Sequence, residues 1–200
     1  MLKTLPNLLT LSRIAVIPLV VGTFYLGHPW DAWFGGVLFG AACVTDWLDG
    51  HFARRWQQIS AFGRFLDPIA DKLLVSLILM MLVAFDRLSP PTLFPALVIL
   101  AREILVSGLR EFLAGLRVSV PVSRLAKWKT GIQMGAIGVL LGSGALPFAA
   151  QIELAGEGLL WLAAMLTLIT GYDYLTHGLV HMEAEDAKPR PPRQAANGVG

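Results

Sequence analysis

Cysteine and charge are both scarce in this 200-residue sequence. Cys43 is the single cysteine, so no disulfide framework within the chain is possible, and we expect this residue to fill a small space in the core. Asp, Glu, Lys and Arg make up 15% of the residues and the formal net charge is +2, which is too small to indicate a nucleic-acid partner. We also find no internal repeat and no sign of a second domain.

Apolar residues, by contrast, make up 55% of the chain, the mean hydropathy is +0.62, and these residues are gathered in long blocks. A helical block of roughly 20 residues crosses a hydrocarbon core of about 30 Å. The sequence therefore predicts an all-α integral membrane protein with six transmembrane helices. The predicted spans are residues 8–26, 32–53, 64–85, 92–113, 128–147 and 154–176. Only Lys3 precedes the first span, which lacks a small-residue cleavage site, so we expect a retained helix rather than a signal peptide.

Basic residues collect in alternate links between these spans, and this asymmetry predicts the orientation. The first, third and fifth links contain only Arg87. The second link, the fourth link and the tail contain Arg54, Arg55, Arg64, Arg117, Arg124, Lys127, Lys129, Lys188, Arg190 and Arg193. Because loops rich in Lys and Arg stay in the cytoplasm, both termini are predicted to be cytoplasmic. Residues 1–182 are expected to form one membrane domain, and residues 183–200 a disordered cytoplasmic tail.

Four aspartates interrupt the second and third apolar blocks. Asp46 and Asp49 share one face of the second predicted helix, and Asp67 and Asp71 lie one turn apart on the third. Ionisable groups at membrane depth are costly and usually functional, so four carboxylates at one cytoplasmic mouth predict a site for hard divalent metal ions. Alternatively, each Asp is a helix-end or loop residue. That alternative does not explain the small residues nearby, which allow close approach: Gly50, Ala53 and Gly63.

The spacing of these residues resembles the signature of a known family. The pattern Asp46-x2-Asp49-Gly50-x2-Ala53-Arg54-x8-Gly63-x3-Asp67-x3-Asp71 is similar to that of the CDP-alcohol phosphatidyltransferases, with no position missing. The resemblance implies an enzyme of the bacterial cell (inner) membrane, surrounded by membrane lipids, that uses CDP-diacylglycerol and forms a homodimer. It implies Mg²⁺ or Mn²⁺, with two ions better suited to four carboxylates than one. Asp46, Asp49 and Asp67 would be ligands, and Asp71 a ligand or the base that deprotonates the acceptor alcohol.

The resemblance also implies a nucleotide and diphosphate site made of the remaining signature residues: Gly50, Ala53, Arg54 and Gly63. Gly50 would let the nucleotide approach the backbone, and Arg54 would contact the diphosphate. The alternative for Arg54 is an ordinary cytoplasmic arginine of the positive-inside kind.

The first span opens Pro6-Asn7-Leu-Leu-Thr10-Leu-Ser-Arg13, which is similar to the start of many members of the family. Asn7, Thr10 and Arg13 recur near helical spacing and would face the nucleotide or the lipid phosphate. The alternative is a helix cap at Asn7 and an Arg13 that snorkels to the membrane interface.

The fourth span is unusual because it carries charges within an apolar block. Glu103, Ser107 and Arg110 fall on one helix face, while Arg102 lies off it. Intramembrane charges usually pair or line a polar cavity, so we expect Arg102 or Glu103 to form a pair between spans. Arg110 lies nearest the cytoplasmic end and is the predicted ligand of a substrate phosphate.

Basic residues just beyond this span predict the acceptor. Arg117, Lys127 and Lys129 join Arg110 as candidate ligands of a phosphorylated acceptor alcohol, although the positive-inside rule alone would place some of them here. The run from 102 to 112, with Lys127-Trp-Lys129-Thr130, resembles the family branch whose acceptor is sn-glycerol 3-phosphate. Inositol phosphate, serine and phosphatidylglycerol are alternative acceptors. Outside the family, a membrane scaffold or a metal transporter is the rival, but a transporter would carry charge through its whole depth.

Overall fold

The structure, a computed structural model, describes residues 5–56, 61–115 and 123–186. Within these residues the chain is all-helical, with two short 3₁₀ helices at Pro90–Thr92 and Ser143–Ala145 and no β-strand. The α-helices are α1 (Leu5–Thr23), α2 (Trp30–Trp56), α3 (Ala61–Ala84), α4 (Leu93–Gly115), α5 (Arg124–Gly142) and α6 (Ala149–Asp186).

The all-α class is confirmed, and each predicted span overlaps one helix. The ends differ most in α6, which runs through Asp186 and so passes both the predicted end of the span at 176 and the predicted start of the tail at 183. The rest of the predicted tail lies outside the described residues.

Two of the described helical segments are long and apolar enough to cross a membrane: Pro90–Gly115, which is the 3₁₀ helix together with α4, and Ala149–Thr176 in α6. A shorter apolar stretch, Thr10–Thr23, lies in α1. The predicted count of six spans stays a prediction.

Local sequence features explain where several helices begin and end. Ser123 caps α5, because its side chain accepts a hydrogen bond from the backbone N–H of Ala126. Ser89 precedes two prolines that open the 3₁₀ helix before α4, a position where a missing backbone N–H costs little. Phe148 has a φ of 67°, so the chain changes direction there before α6 begins.

The six α-helices close into a ring. α1 packs on α2 and α3, α2 on α5, α5 on α6, α6 on α4, and α4 on α3, while α3 also contacts α5 across the ring. Every helix contributes buried apolar side chains to the core, including Val20, Phe39, Ile78, Ile99, Ile137 and Leu160. Large apolar side chains also cover the outside, including Phe94, Leu105 and Met165. Such a surface is typical of a protein that contacts lipid.

At one end of the ring, polar contacts tie the helix links together. Arg87, after α3, pairs with Asp31 on α2 at 3.0 Å and donates to the carbonyl of Leu140 near the end of α5 at 3.3 Å. A cation is favourable there because the last carbonyls of a helix lack intrahelical donors. Glu157 on α6 accepts hydrogen bonds from the backbone N–H and the hydroxyl of Ser89. These contacts hold together the end of the helix bundle that lies opposite Asp46 and Asp71.

Candidate active site

A buried arginine holds together the first helix and the two aspartate-bearing helices. Arg13 on α1 is 1% exposed; its Nη2 lies 2.6 Å from Asp46 Oδ1 on α2, and its Nη1 donates to Asp71 Oδ1 on α3 at 2.6 Å. The two carboxylates are 48% and 44% exposed, so they remain open to solvent on their other sides. A buried charge needs partners of opposite sign, and this one guanidinium brings both carboxylates to the same point.

Thr10, one turn before Arg13, is also buried, so the two side chains face the bundle interior together, as their spacing predicts. The snorkelling alternative for Arg13 does not hold, because its guanidinium does not reach solvent. The role of these residues as phosphate ligands stays a prediction, and the side chain of Asn7 lies outside the described residues.

Two of the four predicted metal ligands, Asp46 and Asp71, are thus brought to one point. The side chains of Asp49 and Asp67 are outside the described part of the chain, and among the side chains that are described no three of His, Cys, Asp or Glu are close enough to hold an ion. Partly exposed carboxylates from two helices are hard oxygen donors, which fit Mg²⁺ or Mn²⁺. The metal centre stays a prediction.

A cavity of about 530 Å³ opens beside Asp46 and Asp71. Its walls come from α2, α3, α4, α5 and α6, and its charged side chains are mixed in sign. Three are acidic and five are basic: Asp46, Asp71, Glu103, Lys72, Arg102, Arg110, Lys127 and Lys129. A polar cavity with carboxylates on one wall and a surplus of cations on the others is suited to an anionic substrate that also carries a reacting hydroxyl.

Glu103 forms a pair between two helices, as the sequence predicts, and its partner is Lys129. The Lys129 ammonium, on α5, donates to Glu103 Oε1 on α4 and is almost completely buried. Arg102 Nη1 lies 3.5 Å from the same Glu103 oxygen, and Arg102 Nη2 donates to Thr170 Oγ1 on α6 at 3.1 Å. One carboxylate therefore links the two helices that carry the predicted acceptor ligands.

Arg110 is exposed, lines the cavity and is held by an aromatic side chain. Its Nη2 donates to Tyr174 Oη at 3.1 Å, and its guanidinium carbon is 5.5 Å from the centre of the same ring. The cation–π contact orients the guanidinium without neutralising it. Lys127 lines the same cavity and is exposed. Among the described predicted acceptor ligands, Arg110 and Lys127 have no carboxylate partner, whereas Lys129 is paired; Arg117 is outside the described residues.

The structure describes the surroundings of only some of the signature residues other than the aspartates. Gly63 is buried on α3. Gly50, Ala53 and Arg54 lie on α2, and their surroundings fall outside the described part. Their predicted contacts with the nucleotide stay predictions.

Several polar residues of the cavity were not among the predicted site residues, including Lys72, Arg102, Gln133 and Tyr174. Arg102 lies off the helix face shared by Glu103 and Arg110, yet it also lines the cavity, and its side chain reaches across to Thr170 on α6. Gln133 interrupts an apolar block, and that interruption is the signal from which the sequence could have indicated it. Tyr174 has no comparable signal in the sequence.

Comparison with known proteins defines the class. Residues 3–169 match the CDP-alcohol phosphatidyltransferases, and the chain belongs to this family, which confirms the resemblance of its aspartate motif. Three curated relatives are each named CDP-diacylglycerol–glycerol-3-phosphate 3-phosphatidyltransferase. The one from Rickettsia bellii is 49% identical, over 86% of this chain and 93% of the relative. That from Escherichia coli is 45% identical, over 86% and 93%. That from Cereibacter sphaeroides is 38% identical, over 91% and 98%.

Proposed function

We propose that this chain transfers a phosphatidyl group from CDP-diacylglycerol to sn-glycerol 3-phosphate and releases CMP. The observation that carries the proposal is the cavity that joins the Asp46 and Asp71 carboxylates to a set of basic side chains. The names of the three relatives, which span most of the chain, supply the donor and the acceptor.

The geometry suits an acceptor that is an alcohol at one end and a phosphate at the other. Arg110 and Lys127, which lack carboxylate partners among the described residues, would bind the phosphate dianion. Asp71, on the facing wall, would then receive the hydroxyl. Holding the two ends of a small substrate in this way supplies part of the rate by orientation. Serine has no phosphate for these cations.

In the reaction, Asp71 takes the proton of the acceptor hydroxyl. The hydroxyl oxygen forms a bond to the phosphorus of the phosphatidyl group, the bond from that phosphorus to the oxygen of CMP breaks, and CMP leaves. Arg13 positions Asp46 and Asp71 throughout, and no covalent intermediate with the protein is needed. Asn7, Thr10, Gly50 and Arg54 are proposed to contact the nucleotide and its diphosphate.

Asp46, Asp49, Asp67 and Asp71 would hold two divalent ions, Mg²⁺ or Mn²⁺. When bound, such ions neutralise the charge that develops on the phosphate oxygens. The carboxylates make one end of the cavity, where the diphosphate would bind, anionic, whereas the other end is cationic. This difference sets the direction in which the acceptor enters.

We further propose that all six helices span the bacterial inner membrane, with both termini in the cytoplasm, and that the enzyme is a homodimer. The shortest helices, α1 and α5, have 19 residues each, about 28 Å at 1.5 Å per residue, close to the hydrocarbon thickness of about 30 Å. The 38 residues of α6 make about 57 Å, so its last turns would extend beyond the membrane.

The experiment that tests this function is an acceptor panel. Purified protein in detergent, with CDP-diacylglycerol and Mg²⁺, should release CMP with sn-glycerol 3-phosphate and not with serine, inositol phosphate or phosphatidylglycerol. CMP release with one of those alternatives instead would reassign the acceptor, and no CMP release with any alcohol would favour a scaffold or transporter.

The acceptor site has its own prediction. Lys127→Ala or Arg110→Ala should raise the KM for glycerol 3-phosphate by about 10-fold to 100-fold, because each removes a charge-assisted contact, while the KM for CDP-diacylglycerol changes little. Arg124→Ala is the control, since Arg124 lies one turn before Lys127 on α5 and does not line the cavity. Equal changes in both KM values would show that these residues do not act on the acceptor.

A further inference from the structure

Gln133 is a buried side chain in the cavity wall whose amide oxygen has no hydrogen-bond partner among the described residues. It lies on α5, one turn after Lys129, is 2% exposed, and lines the same 530 Å³ cavity as Asp71. Buried amide oxygens are almost always hydrogen-bonded, so an unpaired one facing a cavity indicates a donor on the ligand.

The neighbouring cations do not provide this donor. The Lys129 ammonium donates to Glu103, and the Nη atoms of Arg102 are directed to Glu103 and Thr170. Two buried polar atoms of the cavity-lining side chains then have no partner among the described residues: Gln133 Oε1, an acceptor, and Arg102 Nε, a donor. The anionic groups of a substrate are acceptors, so they can satisfy only the Arg102 donor. A phosphate dianion cannot donate a proton to an amide oxygen, but an alcohol hydroxyl can.

The position of Gln133 indicates which hydroxyl of the substrate donates this hydrogen bond. Gln133 is six residues beyond Lys127, about 9 Å further along α5, and is buried, whereas Lys127 is exposed. If Lys127 and Arg110 bind the acceptor phosphate and Asp71 receives the reacting terminal hydroxyl, the middle hydroxyl of the glycerol remains without a partner. Gln133 shares the cavity with all three of these residues.

We infer that Gln133 is a specificity-determining residue: its Oε1 accepts a hydrogen bond from the 2-hydroxyl of the acceptor glycerol. This inference rests on the proposed function and deepens it, because it explains how the cavity distinguishes a glycerol phosphate from a shorter or deoxygenated phosphoalcohol. A site with a buried acceptor rejects an analogue that lacks the matching donor, since its own oxygen then stays unpaired.

The test compares two acceptors on the full-length enzyme. One is sn-glycerol 3-phosphate, and the other is 3-hydroxypropyl phosphate, which keeps the phosphate and the terminal hydroxyl and lacks only the 2-hydroxyl. For the wild-type enzyme, kcat/KM from CMP release should be about 10-fold to 100-fold higher with glycerol 3-phosphate. Gln133→Met, which keeps the length of the side chain and removes the amide, should lower that ratio to about one by losing activity with glycerol 3-phosphate alone.

Thr130→Val provides the matched control. Thr130 lines the same cavity one turn earlier on α5, but its hydroxyl donates to the carbonyl of Ala126, so its removal should leave the wild-type ratio between the two acceptors unchanged. The wild-type ratio needs no variant, and it therefore tests the inference even if Gln133→Met does not fold.

Three results would overturn the inference while leaving the proposed function intact. The first is a wild-type enzyme that uses both acceptors equally, and the second is a Gln133→Met enzyme that keeps the wild-type ratio. The third is a Gln133→Met enzyme whose main change is a higher KM for CDP-diacylglycerol, because Gln133 would then accept from a hydroxyl of the nucleotide. Failure of the wild-type enzyme to release CMP with glycerol 3-phosphate, with release from another alcohol, would overturn the proposed function and this inference with it.

Discussion

Two basic side chains, Arg13 and Lys129, are almost completely buried, and each is paired with a carboxylate from another helix. Buried charges without partners are costly, so each pair restricts how its helices can pack. The Arg13 pairs hold the wall of the cavity where the carboxylates lie. The Lys129–Glu103 pair holds the opposite wall, from which the acceptor ligands project.

Arg13→Lys tests the positioning role of the first pair. A lysine keeps the charge but has a single ammonium, which cannot hold two carboxylates in the fixed fork of a guanidinium. We expect kcat to fall about 10²-fold, the loss that follows from misplacing a reacting group by about 1 Å. The amount of folded protein, measured by size-exclusion chromatography in detergent, should change little.

Arg124→Lys is the control for this substitution, because Arg124 is exposed at the start of α5. It should keep wild-type kcat. A wild-type kcat for Arg13→Lys as well would mean that the placement of Asp46 and Asp71 does not depend on the guanidinium.

The proposed metal ligands make a second prediction at this scale. Asp46→Asn, Asp49→Asn, Asp67→Asn and Asp71→Asn should each lower kcat by about 10² to 10⁴, because a neutral amide of the same size replaces an anionic ligand or base. Chelation by EDTA should abolish wild-type activity, and added Mg²⁺ should restore it.

Asp86→Asn is the matched substitution away from the site. Asp86 follows α3 at the other end of the bundle with a φ of 52°, a conformation that Asn tolerates as well as Asp does. It should remain fully active. Near-normal turnover of Asp71→Asn at saturating Mg²⁺ would exclude Asp71 as the base.

At the scale of the elements, α6 is the helix that joins α4 and α5 behind the cavity wall opposite the carboxylates, since it packs on both of them. Three glycines of α6 allow these close contacts: Gly156, Gly171 and Gly178. A Cβ at Gly171 would lie 3.1 Å from Arg102 Cγ, and a Cβ at Gly156 would lie 2.9 Å from Leu140 Cγ. Close approach through small residues is a common means of packing helices in membranes.

The α5–α6 contact predicts a difference between two glycines on the same helix. Gly156→Ala should lower the melting temperature in detergent, because the new methyl group clashes with the buried side chain of Leu140. Gly158→Ala should keep or raise it, since nothing lies within 4 Å of that position and Ala favours helix by about 1 kcal/mol. Equal melting temperatures for both variants would contradict the close packing of α5 and α6.

The whole molecule is polarised between its two ends. The carboxylates and basic residues of the cavity lie at one end, and the contacts of Arg87 and Glu157 tie the links together at the other. Basic residues are sparse in the links at that second end, which is the asymmetry behind the proposed orientation.

Reporter fusions test this orientation. Fusions after residue 58, after residue 120 and at the carboxyl terminus should report the cytoplasm, because the adjoining segments are rich in Lys and Arg. A fusion near Asp31 should report the opposite side. Fusions at 58 and 120 that report different sides would exclude the six-span topology.

Helical class, the approximate extent of each helix and the residue pairs within one helix could all be predicted from the sequence. These features depend on short-range periodicity: Thr10 and Arg13 are one turn apart and both buried, as their spacing requires. The family could also be predicted, because its motif is a set of fixed spacings along two helices that are consecutive in the sequence.

The partners in contacts between helices could not be predicted from the sequence. Arg13 contacts Asp71 across 58 positions, Lys129 contacts Glu103 across 26, and Arg102 crosses to Thr170 across 68. Periodicity along one helix says which residues share a face, but it carries no information about which other helix that face meets. Which helices meet is decided by the packing of the whole ring, in which small residues such as Gly171 allow α6 to approach α4. The ionic partners within the cavity are therefore determined only by the complete arrangement of all six helices.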